Sequence, residues 1–197
     1  MRIVCATANP HKVSELARML PNWVELVPRP SEVGDIDEDA PTLEGNAIIK
    51  ANEIAHFASE WAIADDTGLE VEVLHGAPGV HSARFTGENA TDADNRARLL
   101  QVLEGATNRA AQFRTVVALV SAKGDIHFVT GKCAGVIADK ERGDNGFGYD
   151  SVFIPTDGDG RTFAEMSDAE KDAVSHRGRA LVQVPDLLAR IFGLPTP

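Results

Sequence analysis

The sequence predicts an α/β protein built on a mixed, twisted sheet with a cleft between two lobes. Three observations carry that expectation. Short apolar runs alternate with segments of helical periodicity near the start of the chain, the middle is a succession of strand-like runs, and the end returns to helical spacing. With 197 residues, 43% of them hydrophobic and 25% charged, the chain has the length for one domain over residues 1–197, or for two closely packed lobes without a separable linker.

Arg2 to Ala6 is a short apolar run that passes through Thr7-Ala8-Asn9-Pro10 into a helix with Val13, Leu16, Ala17 and Leu20 at helical spacing. Asn9 suits the N-cap and Pro10 the first helical position. Trp23 to Val27 reads as a second strand and Asp35 to Asp39 as an acidic loop. From Thr42 a long helix presents Ala47, Ala51, Ile54, Ala55 and Ala58 on its apolar face, with Asn46, Lys50 and Glu53 on another. Trp61 to Ala64 is a short buried strand ending at a turn, Asp65-Asp66-Thr67-Gly68, and Leu69 to Leu74 is a further strand. Thr91 with Asp94 opens a helix carrying Leu99, Leu100 and Leu103, stopped at Gly105. Val116 to Val120 and Ile126 to Val129 form a hairpin around Lys123-Gly124-Asp125, and Ala134 to Ala138 adds a strand. Ser167 and Glu170 form a capping box that begins a last helix, with Leu181, Leu187, Leu188 and Ile191 available for burial.

Nineteen Lys and Arg against thirty Asp and Glu give a net charge of −11, which disfavours nonspecific binding of nucleic acid. A small anion is still admissible, because a metal ion and a few local cations reverse the sign within one pocket. No run approaches the roughly 18 apolar residues of a membrane span, and the N-terminus lacks the apolar core of a signal peptide, so no membrane partner and a cytoplasmic location are expected. The two cysteines, Cys5 and Cys133, lie in apolar runs and read as buried reduced thiols. The six histidines show no zinc-site spacing.

Four constellations bear on chemistry. Thr7, Asn9 and Lys12 stand where a strand meets a helix N-terminus, a place that favours an anion; a plain N-cap beside a solvated lysine is the structural alternative. Asp65 and Asp66 follow a buried strand, where their repulsion is relieved by a divalent cation, and oxygen-only ligands point to magnesium. One of the two would then bind metal and deprotonate a water, with Glu38 the nearest further carboxylate; a turn closed by aspartates is the alternative. Gly146-Phe147-Gly148-Tyr149-Asp150 offers a close backbone approach and a stacking face for a base, or else a turn with two core aromatics. Lys171 and Ser175 share a helix face, with His176 and Arg177 following as donors, or as cations compensating a helix end. The chain has no G-x-x-x-x-G-K-[ST] motif, which argues against a P-loop enzyme.

As a set, the segments ATANPHKVSE (6–15), TLEGNAIIKA (42–51), AIADDTGLEV (62–71), GAPGVHSARF (76–85), GFGYD (146–150) and EKDAVSHRG (170–178) resemble the inosine triphosphate pyrophosphatase family. They run in order through nearly the whole chain. The resemblance implies an elongated mixed sheet with two lobes and a central substrate cleft, a magnesium-dependent homodimer, and cleavage of ITP, dITP and XTP to the monophosphate and pyrophosphate. It implies that Thr7, Ala8, Asn9, Pro10, His11 and Lys12 hold the triphosphate with Lys50. Asp66 would be metal ligand and proton acceptor, and Glu38 the further metal carboxylate. Thr67 would contact substrate, Phe147, Gly148, Tyr149 and Asp150 would enclose base and sugar, and Lys171, His176 and Arg177 would complete the pocket. Two positions depart from the family's common residues: Ala8 replaces Gly, disfavouring a positive φ there, and Gly45 replaces Glu, a change expected to loosen the helix start by about 1 kcal/mol.

In that reading water attacks phosphorus, and donors from His176 or Arg177 select the six-position oxygen of hypoxanthine or xanthine over the amino group of adenine. Two rivals remain: a similar pyrophosphatase acting on modified pyrimidine or standard nucleotides, and a nucleotide-binding module without turnover. The Asp65-Asp66 pair argues against the second, since binding an anion alone does not favour it.

Overall fold

The computed structural model describes residues 1–194. β1 (Arg2–Cys5) lies between two parallel neighbours, β2 (Glu25–Val27) and β3 (Ala62–Val71), with Val4 paired to Val27 on one side and to Ala62 on the other. Parallel neighbours require crossovers, and α1 (Pro10–Met19) and α2 (Leu43–Ala58) supply them. Asn9 caps α1 as expected, its side-chain oxygen accepting the amides of His11 and Lys12, and Pro10 takes the first helical position. Thr42 caps α2 through the amide of Gly45.

α2 departs from the sequence reading in one respect that matters for function. Its buried stripe is Leu43, Asn46, Ala47, Lys50, Ala51, Ile54 and Ala55, so Asn46 and Lys50 lie within the stripe, while Glu53 is exposed. The small alanines leave room for two polar side chains to be buried beside them. Gly45 also differs from expectation. A Cβ there would stand 2.5 Å from the Cβ of Ala40, so the glycine lets the preceding loop close onto the helix. Ala8 is not among the residues of positive φ, so its side chain meets no backbone conflict.

The remaining elements are α3 (Asp92–Val102), β4 (Pro78–Gly79), β5 (Ala110–Val120), β6 (Ile126–Ile137), β7 (Phe153–Pro155), α4 (Asp168–Val174), α5 (His176–Leu181) and α6 (Val184–Phe192). The seven-stranded sheet has the order β2-β1-β3-β5-β6-β7, with β4 antiparallel on β3 and β7 antiparallel on β6. The fold is thus the expected mixed α/β sheet flanked by helices, with corrections to its elements. Residues 65–68 form no turn: β3 continues from Ala62 through both aspartates to Val71, with lysine side chains meeting the aspartates and with Leu69 and Glu70 paired to β4. β6 is likewise one strand where two were expected, its outer residues alternating with buried Val129, Cys133 and Ile137. Between β5 and β6, Ser121 and Asp125 close the predicted turn by exchanging backbone and side-chain hydrogen bonds. The last helix is three: Ser175 takes an extended ψ of 159°, ending α4, and accepts the amide of Gly178 in α5. Lys171 and Ser175 therefore do not share one helix face.

The chain divides into two compact units, one of Met1–Asp66, Thr115–Gly131 and the residues from Ala180 on, the other of Thr67–Arg114 and Lys132–Arg179. In the first unit Ile3, Cys5, Ile63, Val117 and Leu119 from the strands pack with Leu16 of α1 and with Leu181, Val184, Leu187 and Leu188 near the C-terminus. In the second, Phe113, Phe153 and Phe163 form an aromatic group with centroids 4.7 to 6.1 Å apart, against Leu99 and Leu103. The Thr91–Asp94 capping box starts α3 as the sequence indicates.

Cys5 and Cys133 are both buried and unbridged, and burial raises each thiol to a pKa of about 11. Neither is expected to react with a disulfide reagent in the native protein at pH 8, where thiolate is scarce and unreachable, whereas both should titrate in denaturant. Rapid native labelling of either would show that its strand opens locally.

Candidate active site

In the first unit the candidate residues gather where α1, α2 and β3 meet. Consecutive residues of a strand point to opposite faces, and the two aspartates of β3 follow that rule. Asp65 takes the ammonium of Lys12 at 3.1 Å, whereas Asp66 takes that of Lys50 at 3.0 Å. Lys50 also donates to Glu38 Oε2 at 2.7 Å, so one buried ammonium joins the acidic loop to β3. Burial alone would lower the pKa of Lys50, but the carboxylates of Asp66, Glu38 and Asp65 outweigh it and hold the group as a cation. Burial raises the Asp66 carboxyl above its ordinary value, against the pull of Lys50 and Lys12, and Glu38 adds to the rise. A carboxylate whose pKa is raised is the stronger proton acceptor. Asp66 Oδ2 is buried and accepts no hydrogen bond among the described residues.

The structure thus joins Asp66 with Glu38 through Lys50 and turns Asp65 to Lys12. Among the described residues no three His, Cys, Asp or Glu side chains gather in a group able to hold a metal ion. At the start of α1 the amides of His11 and Lys12 are taken by Asn9, and Thr7 Oγ1 accepts the amide of Asn9. Ala8, Pro10 and His11 are exposed there.

The second unit holds the other candidates. Arg177, only 2% exposed, donates from Nη2 to Thr67 Oγ1 at 3.0 Å. Lys171 pairs with Asp150 at 2.8 Å, both buried. Asp150 Oδ2 also accepts the amide of Phe147, closing the Gly146–Asp150 turn; a side chain on Gly146, at φ +77°, would overlap that carboxylate, so glycine is required. The Phe147 ring is half-buried, with Lys171 Nζ 4.8 Å and Arg177 Cζ 5.7 Å from its centroid. Two expected pocket residues have roles in the interior. Tyr149 is buried with its hydroxyl donating to Ser82 O, and His176 stacks on Phe113 at 4.4 Å and 16°.

The sequence reading missed the residues that hold the Phe147 turn. Gly148 donates its amide to Asp92 at 2.7 Å, and its carbonyl accepts from Arg96 at 2.8 Å. Asp92 and Arg96 stand one turn apart at the start of α3, a spacing visible in the sequence. Their target far along the chain was not.

Residues 3–187 match the model of the Ham1 family. The chain is 44% identical over 197 residues to a dITP/XTP pyrophosphatase of Desulforamulus reducens, covering 98% of each sequence. It is 46% identical to a dITP/XTP pyrophosphatase of Porphyromonas gingivalis, covering 95% of this chain and 97% of that one. Its structure is similar to that of a HAM1 protein from Coxiella burnetii, with a TM-score of 0.88 at 39% identity over 96% of this chain and 99% of that one. A nucleoside-triphosphatase / dITP/XTP pyrophosphatase from Mycobacterium abscessus gives a TM-score of 0.75 at 44% identity, over 93% and 98%.

Asp150 and Lys171 form a buried ion pair, and removing one member of such a pair is destabilising. Lys171→Met is expected to cost about 3–5 kcal/mol in chemical denaturation. The double variant Asp150→Asn/Lys171→Met should recover most of that loss, since asparagine still accepts the Phe147 amide without a charge. An equal loss in both variants would show that the pair is already neutral in the native state.

Proposed function

The chain belongs to the Ham1 family, and from that membership we propose that it hydrolyses non-standard purine nucleoside triphosphates, namely ITP, dITP and XTP, to the monophosphate and pyrophosphate. The observation that carries the reading is the Lys50 ammonium buried between Asp66 and Glu38, with Asp66 Oδ2 left without a hydrogen bond. Burying these charges costs several kcal/mol per ion, which apolar residues would not incur. A site that must offer both cations and a carboxylate to a ligand accounts for that expense.

Water is the nucleophile in this proposal. Asp66 orients it and accepts its proton, and the raised carboxyl pKa favours that role. Lys50 and Lys12 stabilise the negative charge that develops on the leaving pyrophosphate. Asp66 with its unengaged oxygen, and Glu38, supply the hard oxygen donors that fit magnesium, so these two would hold it; when bound it neutralises phosphate charge. Asp65 is assigned to orienting Lys12. Thr67, Phe147, Lys171 and Arg177 are assigned to the nucleoside, with Phe147 as the stacking face and Arg177 as the donor to the six-position oxygen. His176 and Tyr149 support that region from the interior. The enzyme is read as a cytoplasmic homodimer on the resemblance to its family, and the net charge of −11 favours free nucleotides over nucleic acid as its partners.

Assays of pyrophosphate release from ITP, XTP, dTTP, GTP and ATP test the reading. Pyrophosphate and monophosphate are expected from ITP and XTP; orthophosphate with a diphosphate would place cleavage at the γ-phosphorus and overturn it. Asp66→Asn should lose about 10²–10⁴-fold in turnover while remaining folded, and near-normal activity at saturating magnesium would remove Asp66 from the mechanism.

Arg177→Ala should lower kcat/KM for ITP at least several-fold more than for ATP, because only the oxo base can satisfy the donor. An equal loss on both would assign Arg177 to the phosphates or to the fold.

A further inference from the structure

Asn46 is 1% exposed on the buried stripe of α2, and the chemistry proposed above leaves it without a role. Its Oδ1 accepts the amide of Ala40 at 2.9 Å. One helical turn further along the same stripe, Lys50 donates to Glu38 at 2.7 Å. α2 therefore grips the acidic loop twice, by its backbone at Ala40 and by its side chain at Glu38. Gly45, which brings Ala40 against the helix, completes the seat, since any side chain there would push the loop away.

A loop carrying Asp35, Asp37, Glu38 and Asp39 repels itself, and residues 35–39 belong to no helix or strand. Asn46 fixes its backbone with a neutral acceptor and adds no further charge. The geometry points to Asn46 as a positioning residue that presets the Glu38 carboxylate beside Lys50 and Asp66, so that the second oxygen donor of the centre is in place before a divalent cation arrives. The inference rests on the reading of Asp66 and Glu38 as that centre.

Binding of Mn2+ alone to the intact protein, followed by loss of the free ion's electron paramagnetic signal, tests it without turnover. Asn46→Ala is expected to weaken Mn2+ about tenfold, the order seen when residues that orient metal ligands are removed. Glu38→Gln should weaken it similarly, and the double variant no more than Glu38→Gln alone, because Asn46 acts only through Glu38. Hydrogen exchange at the Ala40 amide should quicken in Asn46→Ala. Unchanged Mn2+ affinity in Asn46→Ala, losses that add in the double variant, or a parent protein that binds no Mn2+ would each overturn the assignment. If Asn46→Ala fails to fold, Ala40→Pro removes the same hydrogen bond from its donor end, and the same pattern is required of it. Failure of the pyrophosphatase reading looks different: the parent would release no pyrophosphate from ITP, yet Mn2+ binding would keep its dependence on Asn46.

Discussion

The ammonium of Lys50 is the constraint on which the first unit's polar architecture depends. It is 7% exposed, and a lysine so placed keeps its charge only if carboxylates meet it. Asp66 and Glu38 do so from a strand and from a loop. α2 must therefore lie close enough to β3 for the first contact, and the acidic loop must fold back onto α2 for the second. The alanines beside Lys50 make the first approach possible, and Gly45 the second. Lys50→Met would pack more cheaply and would leave Asp66 and Glu38 with no cation between them, so the cost of burying lysine is intelligible only through what the carboxylates and the cation do together.

The second unit uses the same device with a different result. Lys171 and Asp150 also form a buried pair, but Asp150 accepts the Phe147 amide as well and so shapes a backbone turn. Asp92 and Arg96 secure the next residue, Gly148, on both its amide and its carbonyl. The turn that carries Phe147 is thus held by the side chains of Asp150, Asp92 and Arg96. Arg177 bonds to Thr67, the residue that follows Asp66 along β3, so a single peptide bond separates the two sets of contacts in the chain.

What the sequence discloses follows the range of the interaction concerned. The Asn9 and Thr42 caps, the Thr91–Asp94 box and the Ser121–Asp125 turn are closed within a few residues, and all are legible. The continuity of β3 is not, because an Asp-Asp-Thr-Gly run has turn chemistry until Lys12 and Lys50 claim the aspartates from two helices. The break at Ser175 was hidden for the opposite reason: a capping box and later leucines suggested one helix, while Ser175 ends α4 and caps α5 with the same residue. Site residue types were visible, but their orientation was not. Nothing local announces that Tyr149 bonds to Ser82 or that His176 stacks on Phe113. Asn46 was visible as a polar residue on a helix, yet its partner Ala40 offers only a backbone amide, which leaves no trace in the sequence.

The charge arrangement around β3 also bears on how a triphosphate would be held. A helix N-terminus ordinarily attracts anions through its open amides, but at α1 Asn9 already occupies those of His11 and Lys12. The attraction must then come from the ammoniums of Lys12 and Lys50. These face the carboxylates of Asp65, Asp66 and Glu38. A polyphosphate brought to such a group meets carboxylates as well as ammoniums. A divalent cation, if held by Asp66 and Glu38 as proposed, would supply the positive charge that such a ligand needs, and Lys50, already bonded to both carboxylates, would lie beside it. The pairing of each lysine with an aspartate would in that case hold the cations in place before metal and substrate arrive.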